Sequence, residues 1–430
     1  MNSVNPLSVG NEIRRLLEEE LGEMGVLTYK KQCWDIGLNP ERLKMEDIAR
    51  VARGVARALA PIIGQDKSNL VEKKIIKFKF LAELGEVNRE IDPTSRARKG
   101  ANAALSLGEI AGTLGEHTDA ERYYKQAIRH AQKANLSILE AKAYRGLGHI
   151  HRDVNEWDES KRWFKKSMEL SDRIGDNLGR VDAYRGLGKV LWNMGEFDKA
   201  MEIYHQAVEI STKIKDKDAL GSIYIDLGNV YNEKGDLDEA KGYYEKAFPL
   251  LEETKNYREL ARAYNNIGDI MLQRKEWENA IEYFQKCKIE AEKILSDLMT
   301  GWSMFNLAEA QMNLGKLEEA QENANRSLSV LRVTDDERGI SSALKLLGDI
   351  YAAKKDWLKA DEALEESLEY AEKTKSPHYV CRTLVSWSAA KLAQGKKKEA
   401  KNHLSKAKQV LGEIEVPELR AKMEEIEEKL

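Results

Sequence analysis

Apolar residues recur through most of the chain at the spacing of helices that bury one side. Leu147 and Ile150 lie three residues apart, and Phe164 and Met168 lie four apart in the segment that follows. Each segment can therefore form a helix with one apolar face. Between the two segments, Asn155 tolerates the left-handed conformation that often ends a helix. The pattern predicts two helices joined by a tight turn.

This helix pair repeats with a period of 40 residues. Glycine occupies one slot of the repeat, at Gly108, Gly148, Gly188, Gly228, Gly268 and Gly348. A small residue occupies a second slot, at Ala120, Ser160, Ala200, Ala240, Ala280, Ala320, Ala360 and Ala400. Small residues at both slots allow two helix backbones to approach closely. A fixed period of this size, held over eight units, predicts a solenoid of stacked helix pairs.

The residues around the repeat glycine resemble the tetratricopeptide repeat (TPR). The family pattern is an aromatic residue, then Leu-Gly, another aromatic, then Ala, Phe or Tyr, and Ala. The fourth unit carries this pattern in full, as Tyr224, Leu227, Gly228, Tyr231, Ala240, Tyr244 and Ala247. The period of 40 residues, against the usual period of about 34, is similar to the long-repeat subgroup that includes kinesin light chains and spindle-orientation adaptors. The resemblance implies an all-α fold, a right-handed α-α superhelix of eight helix-turn-helix units.

Four segments follow from where the repeat pattern holds. We expect a small helical N-terminal domain over residues 1–68, a bridging helix and linker over 69–98, eight TPR units over 99–412, and a capping helix over 413–430. The N-terminal domain has three interpretations: a cap for the first repeat, a dimerisation or partner-docking module, or a degenerate winged DNA-binding domain. Arg50, Arg53 and Arg57, on one side of a helix, give weak support to the last.

Composition narrows the function classes. Lys and Arg total 69 against 73 Asp and Glu, for a net charge of −4, which argues against a general polyanion binder. Cys33, Cys287 and Cys381 are scattered, so we expect a reducing compartment and neither a disulfide nor a zinc framework. The N-terminus has no signal-peptide core, and no run approaches membrane-spanning length. A cytoplasmic protein is expected.

The sequence carries no enzyme signature. It has no phosphate-binding loop, no dinucleotide glycine fingerprint, no Gly-x-Ser-x-Gly elbow and no His-Glu-x-x-His. We therefore expect no catalysis, no cofactor and no metal.

The resemblance implies a partner-binding groove along the first helix of each unit. Its exposed positions are expected three and six residues before the repeat glycine, and one and four residues after it. In the later units, asparagines two residues before the repeat glycine position are expected to join them. The predicted partner-binding residues are Lys142, Arg145, His149, Arg152, Arg185, Lys189, Trp192, Asn229, Asn232, Asn265, Asn266, Trp302, Phe305, Asn306 and Met312.

Three properties of this set suggest the ligand. The second and third units supply basic side chains, counting His149, against a single acid, Asp182. The asparagines that follow can pair with a peptide main chain. Trp302, Phe305 and Met312 would form an apolar patch. We expect a peptide or protein with an acidic segment and an apolar anchor. Two alternatives stay open: the basic residues pair with neighbouring acids, and the aromatic pair fills space in a distorted sixth unit.

The favoured function is a non-enzymatic scaffold or adaptor that binds a partner peptide or domain. One alternative is a nucleic-acid-linked regulator with an N-terminal binding domain and a TPR sensor; another is a self-assembling structural protein. A protein partner is favoured over nucleic acid, and no membrane partner is expected. A homo-oligomer formed through the N-terminal domain is left open.

Overall fold

Helices make up almost all of the structure, a computed structural model that describes residues 9–40, 43–87, 92–412 and 416–430. These ranges contain α-helices and one short 3-10 helix, Met45–Asp47, and no strand. The expected all-α fold is therefore confirmed. The chain divides into two compact units, Met1–Asn256 and Tyr257–Leu430, called unit 1 and unit 2 below.

Unit 1 begins with three helices and continues with four helix pairs. The three helices are α1 (Val9–Asp35), α2 (Ile48–Ile63) and α3 (Gln65–Glu86). The pairs are α4 (Pro93–Thr113) with α5 (His117–Lys133), α6 (Ser137–Asp153) with α7 (Trp157–Arg173), α8 (Asn177–Asn193) with α9 (Phe197–Ile214), and α10 (Lys217–Lys234) with α11 (Leu237–Thr254). The first helix of a pair is called the A helix and the second the B helix.

Unit 2 contains four more pairs and one final helix. The pairs are α12 (Tyr257–Gln273) with α13 (Trp277–Lys293), α14 (Asp297–Asn313) with α15 (Leu317–Thr334), α16 (Glu337–Ala353) with α17 (Trp357–Lys373), and α18 (Pro377–Ala393) with α19 (Lys397–Leu411). The final helix is α20 (Pro417–Lys429). All eight predicted helix-turn-helix repeats are present, four in unit 1 and four in unit 2.

The glycine slot is where A and B helices touch most closely. A Cβ built on Gly188 would lie 2.4 Å from Cε1 of Tyr204, and one on Gly268 would lie 2.5 Å from Cε1 of Phe284. Real Cβ atoms do not approach ring carbons this closely, so only glycine lets the B-helix ring lie against the A-helix backbone.

The turns have a shorter period than the repeat. A residue with positive φ recurs every 20 residues from Gly115 to Gly395. The sequence predicts the turn inside six of the eight pairs, where glycine or Asn155 stands, and Lys275 and Lys355 adopt the left-handed conformation inside the other two. The turn between pairs is harder to predict, because Lys215, Lys255 and other non-glycine residues adopt the left-handed conformation there.

The N-terminal helices form their own core, and α3 links it to the first repeat. Ile75 of α3 packs in a cluster with Ile13 of α1 and Val51 of α2. One turn further on, Phe80 and Leu84 of the same helix pack against the core of the first pair. A single helix therefore contributes to both cores.

Helix α1 is bent at Gly22, which has φ 61° and ψ −150°. Only glycine readily adopts this backbone conformation, which places the bend at this residue. At the other end of the chain, Leu419 and Met423 of α20 pack with Leu404 and Leu411 of α19. Across the described residues, every helix is too short or too polar to span a lipid bilayer.

Candidate functional site

The A-helix positions predicted to line a groove are called the A-helix face. In unit 1 this face holds an open cavity of about 410 Å³. The cavity is lined by Glu109, Tyr124, Lys142, Arg145, Gly146, His149, Asp182, Arg185, Gly186 and Lys189. Five of the predicted partner-binding residues therefore lie together, on α6 and α8.

Two glycines shape the floor of this cavity. A Cβ on Gly146 would lie 2.3 Å from Cε1 of Tyr124, and one on Gly186 would lie 2.2 Å from Cε1 of Phe164. Because neither glycine carries a side chain, the B-helix rings press against the A-helix backbone, and the ring of Tyr124 lines the cavity. The floor is partly aromatic although its rim is charged.

The basic rim is accompanied by more acids than the sequence suggests. Asp226 is buried in α10, and its carboxylate lies 3.0 Å from Nε of Arg185 and 3.4 Å from Nζ of Lys189. Asp182 lies 3.9 Å from Arg145, and Glu109 also lines the cavity. The second and third repeats contribute the one acid expected of them, Asp182, and the first and fourth repeats add Glu109 and Asp226. The alternative in which basic residues pair with neighbouring acids describes much of the rim.

Lys142 is the basic residue that stays most available, since its side chain is exposed at the cavity rim. Arg145 is buried, and its Nη1 has no hydrogen-bond partner in the described structure. Four cationic side chains with the acids Glu109, Asp182 and Asp226 leave a small positive excess. The cavity can therefore accept one anionic group without reversing its charge.

His149 does not add to that positive charge. Its ring lies edge-on to Phe164 with centroids 5.0 Å apart. Burial, together with the charges of Arg152 and Lys189, lowers the pKa of His149 to about 3. The imidazole is neutral at pH 7, so it can donate or accept a hydrogen bond. Arg152 itself pairs with Asp153 at 2.8 Å.

The remaining predicted residues of unit 1 lie outside the cavity lining. Asn229 accepts a hydrogen bond of 2.8 Å from the Tyr244 hydroxyl. Trp192 and Asn232 are half-buried, and neither Nε1 of the first nor Oδ1 of the second has a hydrogen-bond partner in the described structure. Trp192 packs at the edge of the local core.

The A-helix face of unit 2 is built from amides and carboxylates. Asn306 donates to Oδ1 of Asn265 at 2.7 Å, and Asn265 donates to Oδ2 of Asp269 at 3.0 Å. Burial and the nearby charge of Glu309 raise the pKa of Asp269 to about 7. Asn266 is half-buried on the same helix. Three of the predicted asparagines therefore lie on neighbouring A helices, and two are hydrogen-bonded to each other.

The predicted apolar patch of unit 2 is largely part of the core. Phe305 is buried, so the expectation that it faces outward is wrong. Trp302 stacks edge-on against it with centroids 5.5 Å apart and donates from Nε1 to Asp336 at 2.8 Å. Trp302 and Met312 are partly buried against the same cluster. The alternative in which the aromatic pair fills space is the better description.

The predicted residues three positions before the repeat glycine position all contact the next A helix. Arg145 lies against Gly179 of the next A helix, Arg185 bonds Asp226 of the next, and Phe305 packs with Ile340. This position therefore lies at the seam between successive A helices and not on a free face. The exposure of this position was predicted from the pattern of one repeat, and that pattern contains no information on contacts with the following repeat.

Comparison with known proteins decides the family. One sequence profile described as tetratricopeptide repeat matches residues 100–173, 139–213, 179–253 and 259–332. A second profile with the same description matches residues 225–291. Together they cover more than half of the sequence. The chain belongs to the tetratricopeptide repeat family.

Solved TPR structures share this fold at low sequence identity. A signal transduction ATPase with numerous domains and a tetratricopeptide repeat sensor, from Pyrococcus horikoshii, is 15% identical with a TM-score of 0.61, over 99% of this chain and 74% of that one. The apo form of the quorum sensor NprR from B. thuringiensis is 15% identical with a TM-score of 0.57, over 83% of this chain and 100% of that one. At this identity the likeness shows the fold alone. No curated protein matches the sequence.

Sequence reasoning on the TPR pattern missed two residues that line the unit 1 cavity, Tyr124 and Glu109, and the carboxylate of Asp226 that pairs with its rim. Asp226 occupies the slot two before Gly228, where the two preceding repeats have glycine, so its appearance in that slot is a usable signal. Tyr124 is buried in the local core and also lines the cavity. Glu109 follows Gly108 by one position, so the groove rule predicts it once the rule is applied to the first repeat.

Among the described residues, no group of three or more His, Cys, Asp or Glu side chains could hold a metal ion. Cys33, Cys287 and Cys381 are buried free thiols, and burial raises the pKa of each above its usual range. A thiol with a raised pKa is a poor nucleophile at neutral pH.

Proposed function

We propose that this TPR chain is a non-enzymatic protein-interaction scaffold, and that the unit 1 cavity binds an acidic group of a partner peptide or domain. The observation that carries the proposal is the cavity itself. It combines a small excess of positive charge with a floor formed by the ring of Tyr124 and the bare backbones of Gly146 and Gly186. Open, partly apolar sites with a few convergent polar groups are typical of ligand sites.

The chemistry of the rim favours a carboxylate or another compact anion. Lys142 is exposed and free to move toward a ligand. Arg185 and Lys189 are already held by Asp226, so they position charge without needing to be ordered on binding. Preorganised charges lose little conformational entropy when the partner arrives.

The apolar group of the partner would bind in the unit 1 cavity. The ring of Tyr124 lines the cavity. Tyr124 and Phe305 are equally buried and Trp302 is hydrogen-bonded, so the aromatic surface of both units is small, and the Tyr124 ring is the one that lies beside the basic rim. An acidic residue next to an apolar one in the partner would satisfy both features of the cavity.

A nucleic-acid-linked function has less support. Of the three arginines on α2, Arg50 is engaged with Asp47 at 3.0 Å. Helix α2 carries no aromatic side chain on which a base could stack. The direct check is whether substitution of Arg53 and Arg57 by Glu changes binding to duplex DNA, and no effect is expected.

The test of the proposed function is a selection from a displayed peptide library. Peptides retained by the wild-type chain should be enriched in Asp or Glu next to an apolar residue. Lys142→Glu should lose that enriched set, because it places a negative charge at the rim. Lys165→Glu is the matched control, since Lys165 is equally exposed on the B helix of the same repeat and should retain the set.

Salt gives an independent readout. Affinity for the enriched peptides should fall as ionic strength rises, because rim charges near solvent are screened. Enrichment of neutral peptides, or equal loss in both lysine variants, would contradict the proposed site.

A further inference from the structure

Helix α19 has a strongly basic surface. It carries five lysines and a single acid, Glu399. The Glu399 carboxylate lies 2.9 Å from Nζ of Lys391, a buried lysine of α18 that also pairs with Asp361. The one acid of α19 is therefore engaged by a neighbouring helix, and it does not neutralise the lysines of its own helix.

Four of these lysines line an open cavity of about 600 Å³ beside α20, called the α19 cavity below. The lining consists of Lys397, Lys398, Lys401, Leu404, Ser405, Lys408, Glu427 and Leu430. Leu404 is buried and packs with Met423 of α20 in the local core. The α19 cavity therefore combines an apolar contact with a basic rim.

Two of the four lysines already have partners. Lys408 pairs with Glu427 at 2.5 Å. Nζ of Lys397 donates to the main-chain oxygen of Leu430 at 2.9 Å. These two ammonium groups are therefore held by α20 and its last residue.

The other two lysines have no such partner. Lys398 and Lys401 are exposed, and within the described part of the chain neither makes an ion pair or a side-chain hydrogen bond. Glu424 and Glu428, the exposed acids of α20 nearest to Glu427 in sequence, lie outside the lining. Two unpaired positive charges therefore border one cavity.

The helical spacing places these two ammonium groups close together. Lys398, Lys401 and Ser405 follow one another at intervals of three and four residues, so they lie along one face of α19. Neighbours at this spacing have Cβ atoms about 5–6 Å apart, which allows two flexible lysines to contact one anionic group. The exposed hydroxyl of Ser405, one turn further on, can donate a further hydrogen bond.

We propose that the α19 cavity binds the phosphate group of a small phosphate ester. A phosphate monoester carries about −1.5 to −2 charges at pH 7 and three strong acceptor oxygens, which match two unpaired lysines and a hydroxyl. A carboxylate carries one charge and would leave one of the lysines without a partner. The cavity has the volume of a small-molecule site, so the rest of the ester fits beside Leu404. This inference does not depend on the unit 1 cavity.

A nucleic-acid strand fits this surface less well than a small ester does. Binding along a strand uses a run of free charges and aromatic rings on which bases stack. Here Lys408 is already paired with Glu427, Lys406 lies outside the lining, and the lining contains no aromatic residue. The free charge is therefore confined to the space of one or two phosphate groups.

The test is calorimetric titration of the full chain with glycerol 3-phosphate at low ionic strength. Wild type should bind it, should bind acetate far more weakly, and should lose affinity as salt rises. The double variant Lys398→Gln/Lys401→Gln should raise the dissociation constant about tenfold or more. Lys406→Gln is the matched control, since Lys406 is exposed on the same helix but outside the lining, and it should bind like wild type.

A second control separates this site from the unit 1 cavity. Lys142→Glu should leave the affinity for glycerol 3-phosphate unchanged, because Lys142 lines only the unit 1 cavity among those described here. Thermal melts check that the exposed lysine substitutions leave the fold intact.

An absence of binding to glycerol 3-phosphate would overturn the inference. So would equal affinity for acetate, equal weakening by Lys406→Gln and the double variant, or loss of binding in Lys142→Glu. Binding of a phosphorylated peptide or of an oligonucleotide, with none of glycerol 3-phosphate, would also contradict a small ester as the ligand.

Discussion

Unit 1 and unit 2 use one repeat to build two different A-helix faces. The slot two before the repeat glycine position is Gly146 and Gly186 in the second and third repeats, and Asn266 and Asn306 in the fifth and sixth. At the glycines a B-helix ring packs against bare backbone at the floor of a cavity, whereas Asn306 fills the slot and bonds Asn265. In these four repeats, one slot outside the shared packing positions distinguishes a cavity from a hydrogen-bonded surface.

The two faces also shift the pKa of a buried residue in opposite directions. In unit 1, burial among cations lowers the pKa of His149 to about 3. In unit 2, burial beside Glu309 raises the pKa of Asp269 to about 7. In both faces, the pKa shift favours the neutral form of the residue. Burial is the largest cause of each shift, and neighbouring groups of the same charge add to it.

The largest expected effect comes from the buried carboxylate of unit 1. Asp226→Ala removes the partner of Arg185 and Lys189 and should lower the free energy of unfolding by about 3 kcal/mol. Asp198→Ala is the control. Asp198 pairs with Lys234 at 2.8 Å but is 86% exposed, so its loss should cost less than about 1 kcal/mol. Urea unfolding measures both, and equal losses would show that Asp226 is not a structural centre of this face.

Substitution of the repeat glycine should destabilise both units to a similar extent, because the glycine-ring packing is the same in both although their A-helix faces differ. Gly188→Ala and Gly268→Ala each drive a Cβ into a ring and should each cost about 1–3 kcal/mol. Gly242→Ala has open space around it and should raise stability by about 0.5–1 kcal/mol. Thermal unfolding reports all three. A harmless change in one unit and a costly one in the other would break the common repeat geometry.

The smallest expected effects are the pH dependences, and they have opposite signs. The folded pKa of His149 is below its ordinary value, so its stability contribution is complete above about pH 6.5 and is lost as pH falls. The folded pKa of Asp269 is above its ordinary value, so its contribution is complete below about pH 4 and is lost as pH rises through 7.

Two variants isolate these contributions. Relative to wild type, His149→Gln should gain stability as pH falls from 7 to 5, and Asp269→Asn should gain as pH rises from 5 to 8. Urea midpoints across this range provide the measurement. Parallel pH profiles for the two variants would remove the electrostatic contrast between the faces.

Much of the fold follows from the sequence, because most repeats carry the same packing positions. The glycine-aromatic pair of Gly188 and Tyr204 recurs in the first five repeats, and the 40-residue period locates the helix crossings of the other three. The turns between pairs are less predictable, since Lys215 adopts a left-handed conformation that composition does not signal.

The candidate site is predicted less completely, because it depends on contacts between repeats. Lys142, Arg145 and His149 were placed on the correct helix. Their electrostatic state could not be predicted, because it depends on acids that other repeats contribute, such as Asp226. Phe305 looked exposed on its own helix, and the following repeat buries it.

The most direct test of the central claim is hydrogen–deuterium exchange of the full chain with and without a selected acidic peptide. The proposed function predicts slower exchange in α6 and α8, around the unit 1 cavity, and little change in α12 and α14. The same peptide should leave exchange of the Lys142→Glu variant unaltered. Protection confined to unit 2, or protection that Lys142→Glu does not remove, would contradict a binding site at the unit 1 cavity.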